Sequence, residues 1–269
     1  MDGIEQWRMV DEGWGRRAAD FATLMEPAAA REYLYVHRRL GIGPGTTLLD
    51  MACGSGLALE LARLQGADVA GVDASARLAA VASLRNPDSR IVAGDMAEPH
   101  FPAASFDVVT SFRGIWATTP AAMAQARRVL CPGGRVAITF WGEMAASQGG
   151  PLFAPFRLAT PPQIDHQSDM VALKRPGVAA QFLTDAGLIP GEVFDVPFVL
   201  EFADPEHFAR GLAATGPGYE AVMVAGEEAF REACLEAAAP FVRDGLPIRA
   251  TMRLLGIIGT APAATHISP

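Results

Sequence analysis

Short apolar runs alternate with helix-like stretches through the middle of the chain. In the helix-like stretches apolar residues recur every three or four positions, whereas the apolar runs have the length of buried strands. The predicted strands are residues 46–51, 67–73, 90–94, 106–112 and 135–141. Strands that alternate with helices in this way predict a parallel sheet with both faces covered by helices.

Residues 1–40 precede the first predicted strand and are predicted to be helical, with a stop at Gly-Ile-Gly-Pro-Gly over 41–45. Two interpretations are open for this part of the chain. It forms a helical layer packed on the edge of the sheet. Alternatively, it forms a lid that closes on a ligand, with Trp14, Arg16 and Arg17 beside two glycines.

The second half of the chain interrupts the alternation twice. Residues 143–176 have no clear period, and residues 204–244 contain two predicted helices, 205–214 and 219–242. Long insertions inside a domain are usually functional, so we expect both to cap the ends of the strands. The alternative is that these helices pad the fold or form the face of a homodimer.

These segments predict a division of the chain into six parts. They are an N-terminal helical lid at 1–44, a cofactor-binding core at 45–142, a cap insertion at 143–176, a continuation of the core at 177–203, a second cap insertion at 204–244, and a final strand and tail at 245–269. The continuation is expected to hold a helix and then a strand within 188–202, and the last strand is expected over 248–260.

Residues 46–64 carry the strongest chemical signal. The first strand is followed by five small residues, Ala52-Cys53-Gly54-Ser55-Gly56, and then by a leucine-rich helical run. Gly54 and Gly56 let the backbone approach a bulky ligand, and the helix that follows directs its free N–H groups to the same place. Strand, small-residue turn and helix in this order are typical of a nucleotide-type site.

Acids stand at or just after the ends of three successive strands: Asp50, Asp73 and Asp95. Asp73 follows Gly54 by 19 residues, and a carboxylate at the tip of the second strand is placed to accept hydrogen bonds from both hydroxyls of a ribose. A single acid of this kind is more often a helix N-cap. The interpretation therefore rests on the ordered set together with the glycine turn.

Two kinds of nucleotide site compete for this pattern. A dinucleotide site prefers Gly-x-Gly-x-x-Gly, but Leu59 stands where the third glycine would be. The acids suit an adenosine with a positively charged amino-acid tail better than they suit a diphosphate. Asp95 is placed to accept a hydrogen bond from an adenine amine.

Composition and charge exclude several classes of protein. The 269 residues include 22 basic and 30 acidic ones, a net charge of −8, and no large basic cluster, which argues against a nucleic-acid partner. The widely spaced Cys53, Cys131 and Cys234 argue against a disulfide framework and against a metal site such as zinc, and they favour the cytoplasm. No apolar run approaches the roughly 20 residues of a membrane span, and the N-terminus is unlike a signal peptide.

Five segments carry a resemblance to a known family: LLDMACGSG, GVDAS, GDM, FDVVTSFRGIW and RRVLCPGGRVAITFW. In this order they resemble the motifs of class I S-adenosylmethionine-dependent methyltransferases, and most of all the group similar to the ubiquinone/menaquinone C-methyltransferases (type 11). The resemblance covers about residues 45–142. It implies a Rossmann-like, doubly wound α/β sheet of about seven strands with the last strand antiparallel, and S-adenosyl-L-methionine bound above the carboxyl ends of the strands.

The resemblance also implies which residues hold the cofactor. The methionine moiety would be lined by Asp50, Ala52, Gly54 and Gly56, the ribose would be held by Asp73, the adenine would lie by Ala74, Asp95 and Met96, and Ser111 would close the pocket. The family has glycine where this chain has Ala52, and only slight crowding is expected there. Arg16 is a further candidate, for the carboxylate of the cofactor.

Methyl transfer is an in-line attack on a sulfonium carbon, so alignment supplies much of the rate, and some acceptors need a base. The candidate base is His166, in the first cap insertion; the alternative is an ordinary hydrogen-bonding histidine. Arg113 and Trp116 follow the fourth strand, where the family positions the acceptor; the alternative is packing plus a surface cation. The tetrapeptide Asn-Pro-Pro-Tyr of many N-methylating enzymes is absent at 111–114, which disfavours a nitrogen acceptor.

The sequence therefore predicts a cytoplasmic methyltransferase that acts on an oxygen or carbon of a small, largely apolar metabolite. Apolar surface for this acceptor is supplied by Trp116, Trp141, Phe153 and Phe156. Neither a nucleic acid nor a membrane is an expected partner. Two alternatives are open: a protein that keeps the fold as a cofactor-binding or cyclisation scaffold without transferring a methyl group, and, behind it, an NAD(P)-dependent dehydrogenase.

Overall fold

The structure is a computed structural model that describes residues 10–117, 119–159 and 172–264. The predicted base His166 and the middle of the first cap insertion lie outside the described residues. Most of the predicted cofactor-binding core, from residue 45 to residue 142, lies within them.

The described residues build one sheet of eight strands. The strands are β1 Thr47–Met51, β2 Asp68–Asp73, β3 Arg90–Ala93, β4 Phe106–Phe112, β5 Leu130–Trp141, β6 Ile189–Pro190, β7 Phe194–Phe202 and β8 Ile248–Thr260. Their order across the sheet is β3-β2-β1-β4-β5-β8-β6, with β7 also paired to β8. Neighbours among β1 to β5 are parallel, and β8 is antiparallel to β5. The predicted doubly wound sheet with an antiparallel last strand is confirmed.

The predicted sixth strand is divided into β6 and β7. Both pieces pair with β8, on the edge of β8 that faces away from β5. Between them, Gly191 still donates a backbone hydrogen bond to Ile258, at 2.8 Å. The eight observed strands therefore correspond to the seven expected strands with one of them interrupted.

Besides a three-residue helix at Ala18–Asp20, the described part of the chain contains eight α-helices of eight or more residues. They are α1 Ala30–Leu40, α2 Leu57–Leu64, α3 Ala76–Arg85, α4 Pro120–Val129, α5 Val178–Asp185, α6 Pro205–Ala213, α7 Gly216–Ala225 and α8 Glu227–Ala238. The predicted helix over 219–242 is wrong as a single element, because Gly226 has φ 88° and ψ 158° and separates α7 from α8. None of the helices described is both long enough and apolar enough to cross a membrane.

Residues 10–29, here called the N-terminal segment, are irregular rather than one continuous helix. They contain π-helical turns at Asp11–Gly15 and Phe21–Met25 and a 3-10 turn at Glu26–Ala29. Pro27 stands inside the last of these turns, and proline has no N–H group to continue a helical ladder. The regular helix α1 begins only after this turn.

Apolar side chains cover both faces of the sheet. Leu48 and Leu49 are adjacent on β1 and belong to opposite layers, because side chains alternate along a strand. Val36 of α1 and Leu59 of α2 pack in the layer of Leu48, whereas Met123 of α4 packs in the layer of Leu49. This packing fixes the carboxyl ends of β1, β2, β3 and β4 at one edge, where a doubly wound sheet places its ligands.

Candidate cofactor and acceptor site

The turn after β1 uses the left-handed backbone region three times. The angle φ is 60° at Ala52, 56° at Gly54 and 80° at Gly56. Glycine adopts this region freely, whereas for an L-residue such as alanine it costs roughly 1–2 kcal/mol. The expectation of slight crowding at Ala52 is therefore incomplete, since its departure from the family's glycine also strains the backbone.

Gly114, in the loop after β4, makes room for the side chain of Ala52. A Cβ atom at residue 114 would lie 2.9 Å from Ser111 Oγ and closer still to Ala52 Cβ. Ser111 is fully buried, and its hydroxyl donates a hydrogen bond to the carbonyl oxygen of Met51 at 2.7 Å. Ser111, predicted to close the pocket, thus ties β4 to β1 at the start of the turn.

Asp73 lies against the glycine turn, as its position at the end of β2 predicts. Its Oδ2 accepts a hydrogen bond from Gly54 N–H at 2.7 Å, and its Oδ1 accepts one from Ser75 N–H at 2.8 Å. The side chain is 6% exposed. Burial raises the pKa of Asp73 to about 6, although the two N–H groups oppose the shift. The two N–H groups orient this carboxylate and leave acceptor capacity for further donors.

Asp50, at the end of β1, is more deeply enclosed than Asp73. It is almost fully buried, and its Oδ1 accepts a hydrogen bond from the Thr110 hydroxyl at 2.7 Å. Burial raises the pKa of Asp50 well above its ordinary value, and the nearby acids Glu26 and Asp73 raise it further. Asp50 therefore links β1 to β4 directly before the turn, from a position inside the protein.

The residues predicted to flank the adenine are half-buried at the same edge of the sheet. Asp95 Oδ1 accepts a hydrogen bond from the N–H of Ala97 at 2.8 Å, which shapes the loop after β3. Met96 packs against the apolar layer of Leu49. Ala74, next to Asp73, is also half-buried.

The N-terminal segment covers the glycine turn. A Cβ atom at Gly54 would lie 3.4 Å from Glu26 Oε1 and 3.5 Å from Phe21. Glu26 is 3% exposed, and its Oε2 contacts both Ser55 Oγ and Arg85 Nη1. Burial raises the pKa of Glu26, although hydrogen bonds from Ser55, Arg85 and the Leu57 backbone oppose the shift.

Side chains of the N-terminal segment also reach the second cap insertion. The indole ring of Trp14 packs closely on Gly216, the first residue of α7. A Cβ atom added to Gly216 would lie only 2.5 Å from Trp14 Nε1. Arg16, the candidate for the cofactor carboxylate, is 55% exposed, pairs with Glu12 at 3.9 Å, and lies 5.7 Å from the ring centre of Tyr219. The N-terminal segment thus contacts both the glycine turn and α7.

Arg113 follows β4 and, itself half-buried, forms an ion pair with the fully buried Glu32. Its Nη2 is 2.9 Å from Oε2 of Glu32, and the hydroxyl of Thr139 donates to Oε1 of Glu32 at 2.5 Å. Burial alone would lower the pKa of Arg113, but the Glu32 carboxylate outweighs it and the pKa is raised. Arg113 has φ 60°, and its carbonyl oxygen accepts a hydrogen bond from Trp116 Nε1 at 2.9 Å. The two predicted acceptor residues are therefore in contact.

An aromatic cluster adjoins this ion pair. The ring of Trp141 meets Phe198 at 5.2 Å and Phe153 at 5.9 Å between centres, and Phe153 meets Phe156 at 5.5 Å. The guanidinium of Arg113 lies 5.5 Å from the centre of the Trp141 ring and 5.1 Å from that of Phe198. Three of the aromatic residues predicted to serve the acceptor are thus brought together, and β7 adds Phe198.

Several residues around the site are not predicted from the sequence: Glu26, Glu32, Arg85 and Gly114. Only Glu32 leaves a readable signal, because helical spacing places it on the same face of α1 as the apolar Val36. An acid on an apolar face needs a buried partner. Glu26 and Arg85 come from segments far apart in the chain, and no local pattern joins them.

The fold and the site together define a Rossmann-like protein that binds an adenosine-type cofactor at the carboxyl ends of its strands. Comparison with known proteins identifies the family. Residues 49–138 match the model of the methyltransferase domain family. Nocamycin O-methyltransferase from Saccharothrix syringae is 31% identical over 193 residues, which are 67% of this chain and 67% of that protein.

Other relatives match over a shorter span. Demethylmenaquinone methyltransferase from Beutenbergia cavernae is 35% identical over 119 residues, 44% of this chain and 47% of that protein, so the match spans about half of its length. Among solved structures, the 4+2 cyclase SpnF has a TM-score of 0.59 and 17% identity over 96% of this chain and 98% of that chain, which shows a shared fold.

The chain belongs to the class I S-adenosylmethionine-dependent methyltransferases, in the type 11 group. S-adenosylmethionine is accordingly its cofactor, and the described residues fit it. The Asp73 carboxylate is held by two backbone N–H groups beside the glycine turn and keeps acceptor capacity for further donors. The carboxyl groups of Glu26, Asp50 and Asp73 around the turn suit a ligand whose tail carries positive charge.

Proposed function

We propose that the protein transfers a methyl group from S-adenosylmethionine to an oxygen or carbon atom of a small, largely apolar metabolite. The observation that carries this proposal is the contact between the Asp73 carboxylate and the Gly54 N–H group, at 2.7 Å, within a turn of left-handed residues. This contact joins the acid that would bind the ribose to the turn that would line the methionine moiety. The bound cofactor supplies an activated methyl group on a sulfonium.

The chain's own residues would hold the cofactor from three directions. Asp73 would accept the ribose hydroxyls, and the backbone of 52–56 would line the amino-acid tail. The loop after β3, with Asp95 and Met96, would border the adenine. Asp50 and Ser111, which are buried, would keep the turn in shape through their bonds to Thr110 and the Met51 carbonyl.

Arg113 and Trp116 are proposed to line the acceptor site together with the aromatic cluster. The rings of Trp141 and Phe198 offer apolar surface, and the Glu32–Arg113 pair fixes the loop after β4 beside them. The main role proposed for these residues is to hold the acceptor in line with the methyl group. His166 remains the candidate base for an acceptor that must lose a proton.

An oxygen or carbon acceptor is favoured over nitrogen on two grounds. The relative matched over two thirds of its length is named as an O-methyltransferase. Residues 111–114 read Ser-Phe-Arg-Gly and lack the tetrapeptide of many N-methylating enzymes. A phenol, a hydroquinone or an enolised dicarbonyl combines a flat apolar body with such an oxygen or carbon atom.

The proposed location is the cytoplasm. All three cysteines are free and two of them, Cys53 and Cys234, are buried, as suits a reducing compartment. Small-molecule acceptors rather than macromolecules are the proposed partners.

The test combines binding with transfer. We expect S-adenosylhomocysteine to raise the melting temperature, since a ligand at 100 times its Kd stabilises by about 2.7 kcal/mol. We then expect a labelled methyl group to pass from S-adenosylmethionine to at least one member of a panel of phenols, hydroquinones and enolised dicarbonyls. A thermal shift without transfer to the panel or to any metabolite of a cell extract would favour the scaffold alternative. No thermal shift at millimolar ligand would refute the proposal.

A further inference from the structure

Glu26 is the one acid that the N-terminal segment brings onto the glycine turn among the described residues. It is 3% exposed although it precedes a proline in an irregular turn. The backbone of Leu57 also donates a hydrogen bond to the carboxylate of Glu26, and the two oxygens have different nearest side chains. Oε2 contacts Ser55 Oγ and Arg85 Nη1, whereas Oε1 is the atom nearest to the position that a Cβ atom of Gly54 would take, at 3.4 Å.

Two carboxylates therefore flank Gly54. Asp73 accepts a hydrogen bond from the Gly54 N–H group at 2.7 Å. Glu26, from the N-terminal segment, lies on the side of Gly54 where a Cβ atom would stand. The two acids are placed to bind different parts of the ligand. Asp73 lies at the end of β2, where an acid serves a ribose, which leaves Glu26 for the part of the ligand that lies along the turn.

Charge favours a cationic group next to Glu26. The guanidinium of Arg85 is its cationic partner in the structure, but this arginine also donates to the carbonyl oxygens of Ala22 at 2.8 Å and Ser55 at 3.1 Å. Asp50 and Asp73 add acidic groups close by. The surroundings of the turn are thus richer in acids than in cations, and a buried acid is best stabilised by a positive partner.

We propose that Glu26 is a cofactor-binding residue whose Oε1 accepts a hydrogen bond from the ammonium group of the cofactor's amino-acid tail. This inference rests on the proposed function and assigns to the N-terminal segment a direct contact with the ligand. Ser55 and Arg85 hold the other oxygen and so orient the carboxylate. The segment then closes over the turn while it contributes one side chain to the site.

A purely structural role for Glu26 makes a different prediction. If Glu26 only anchors the N-terminal segment to Ser55 and Arg85, its loss weakens every ligand of the turn equally. If it binds the ammonium group, its loss weakens only ligands that carry that group. S-adenosylhomocysteine and its analogue with the amino group replaced by hydrogen separate the two roles.

The experiment is isothermal titration calorimetry of the wild type and of Glu26→Gln with both ligands. We expect Glu26→Gln to weaken S-adenosylhomocysteine by about tenfold or more, because a buried charge-assisted hydrogen bond is lost. The deaminated analogue should change by less than about threefold. The control Asp20→Asn removes another ion pair of the same segment, to Arg210 at 2.7 Å, and should leave the ratio of the two affinities unchanged.

Equal weakening of both ligands by Glu26→Gln would overturn the assignment and leave the proposed function intact. Failure of the wild type to bind S-adenosylhomocysteine would overturn both. Circular dichroism first establishes that the variant is folded. If it is not, Glu26→Asp, which keeps the charge but withdraws it by one methylene group, must show the same selective loss for S-adenosylhomocysteine.

Discussion

Gly114 and Ala52 form a pair whose energetic coupling can be measured. A Cβ atom at residue 114 would lie 2.9 Å from Ser111 Oγ and closer still to Ala52 Cβ, whereas carbon atoms pack at about 3.5–4.0 Å. The backbone of Gly114 does not require glycine, since its φ is outside the left-handed region. Gly114→Ala is therefore a test of space alone, and overpacking of this kind costs about 1–3 kcal/mol.

Ala52→Gly removes the other half of the contact. It removes the backbone strain of an alanine in the left-handed region, which stabilises the folded protein by about 1–2 kcal/mol. It also makes the unfolded chain more flexible, which lowers stability by about 0.5–1 kcal/mol. Alone, it should change stability little or raise it by about 1 kcal/mol. Combined with Gly114→Ala, it should restore part of the lost stability, with a coupling energy of about 1–2 kcal/mol.

Urea unfolding of the four proteins in this cycle measures the coupling, and calorimetry with S-adenosylhomocysteine reports whether the turn recovers its function in the double variant. Gly43→Ala is the matched control. A Cβ atom there would meet only the Gln65 carbonyl oxygen, at 3.9 Å, so its cost should be near zero. Additive effects of the two substitutions, with no recovery of stability or of affinity, would refute the assignment of Gly114 as the residue that accommodates Ala52.

Three further predictions concern the acids and the aromatic cluster. Burial raises the pKa of Asp73 to about 6, so its carboxylate is charged above that pH and protonated below it. Affinity for S-adenosylhomocysteine should therefore level off near neutral pH and fall by up to about tenfold per pH unit below pH 6. In calorimetry, Asp73→Asn should bind this ligand weakly and should lack the fall below pH 6. Glu32→Gln removes the fully buried partner of the partly buried Arg113 and should lower the free energy of unfolding by about 3 kcal/mol. The exposed Glu201→Gln should cost less than about 1 kcal/mol. Similar losses for both variants would contradict a structural role for the Glu32–Arg113 pair. Trp141→Ala should impair methyl transfer while the Kd for S-adenosylhomocysteine stays within about threefold of wild type, and an equal loss of cofactor binding would place this ring outside the acceptor site.

Local patterns in the sequence predicted the parts of the fold that local rules govern. The alternation of apolar runs and helical stretches located β1 to β5, because burial on both faces of a parallel sheet demands continuous apolar residues. The apolar run at 248–260 located the antiparallel β8. Asp73 was located in the same way, since the tip of the second strand and the glycine turn have a fixed relation in such sheets. These are properties of chain order, and the structure confirms them.

The irregular elements were predicted less well. Gly226 breaks one predicted helix into α7 and α8, and the strand within 188–202 divides around Gly191. Both places carry local boundary signals, Pro190-Gly191 in the strand and Gly226 followed by two glutamates in the helix. A prediction from apolar spacing alone does not use these signals. The N-terminal segment likewise has helical spacing but folds into irregular turns, because its packing partners are the glycine turn and the cap rather than a flat sheet face.

The sequence by itself determined the sheet, the glycine turn and the place of Asp73 beside that turn, because each depends on residues close together in the chain or on the order of the strands. Only the tertiary structure decided which distant side chains meet at that turn. Glu26 reaches Ser55 across 29 positions and Arg85 across 59, and Glu32 reaches Arg113 across 81. Buried charges of this kind are stable only when paired, and the pairing is settled by three-dimensional packing, which no local pattern encodes.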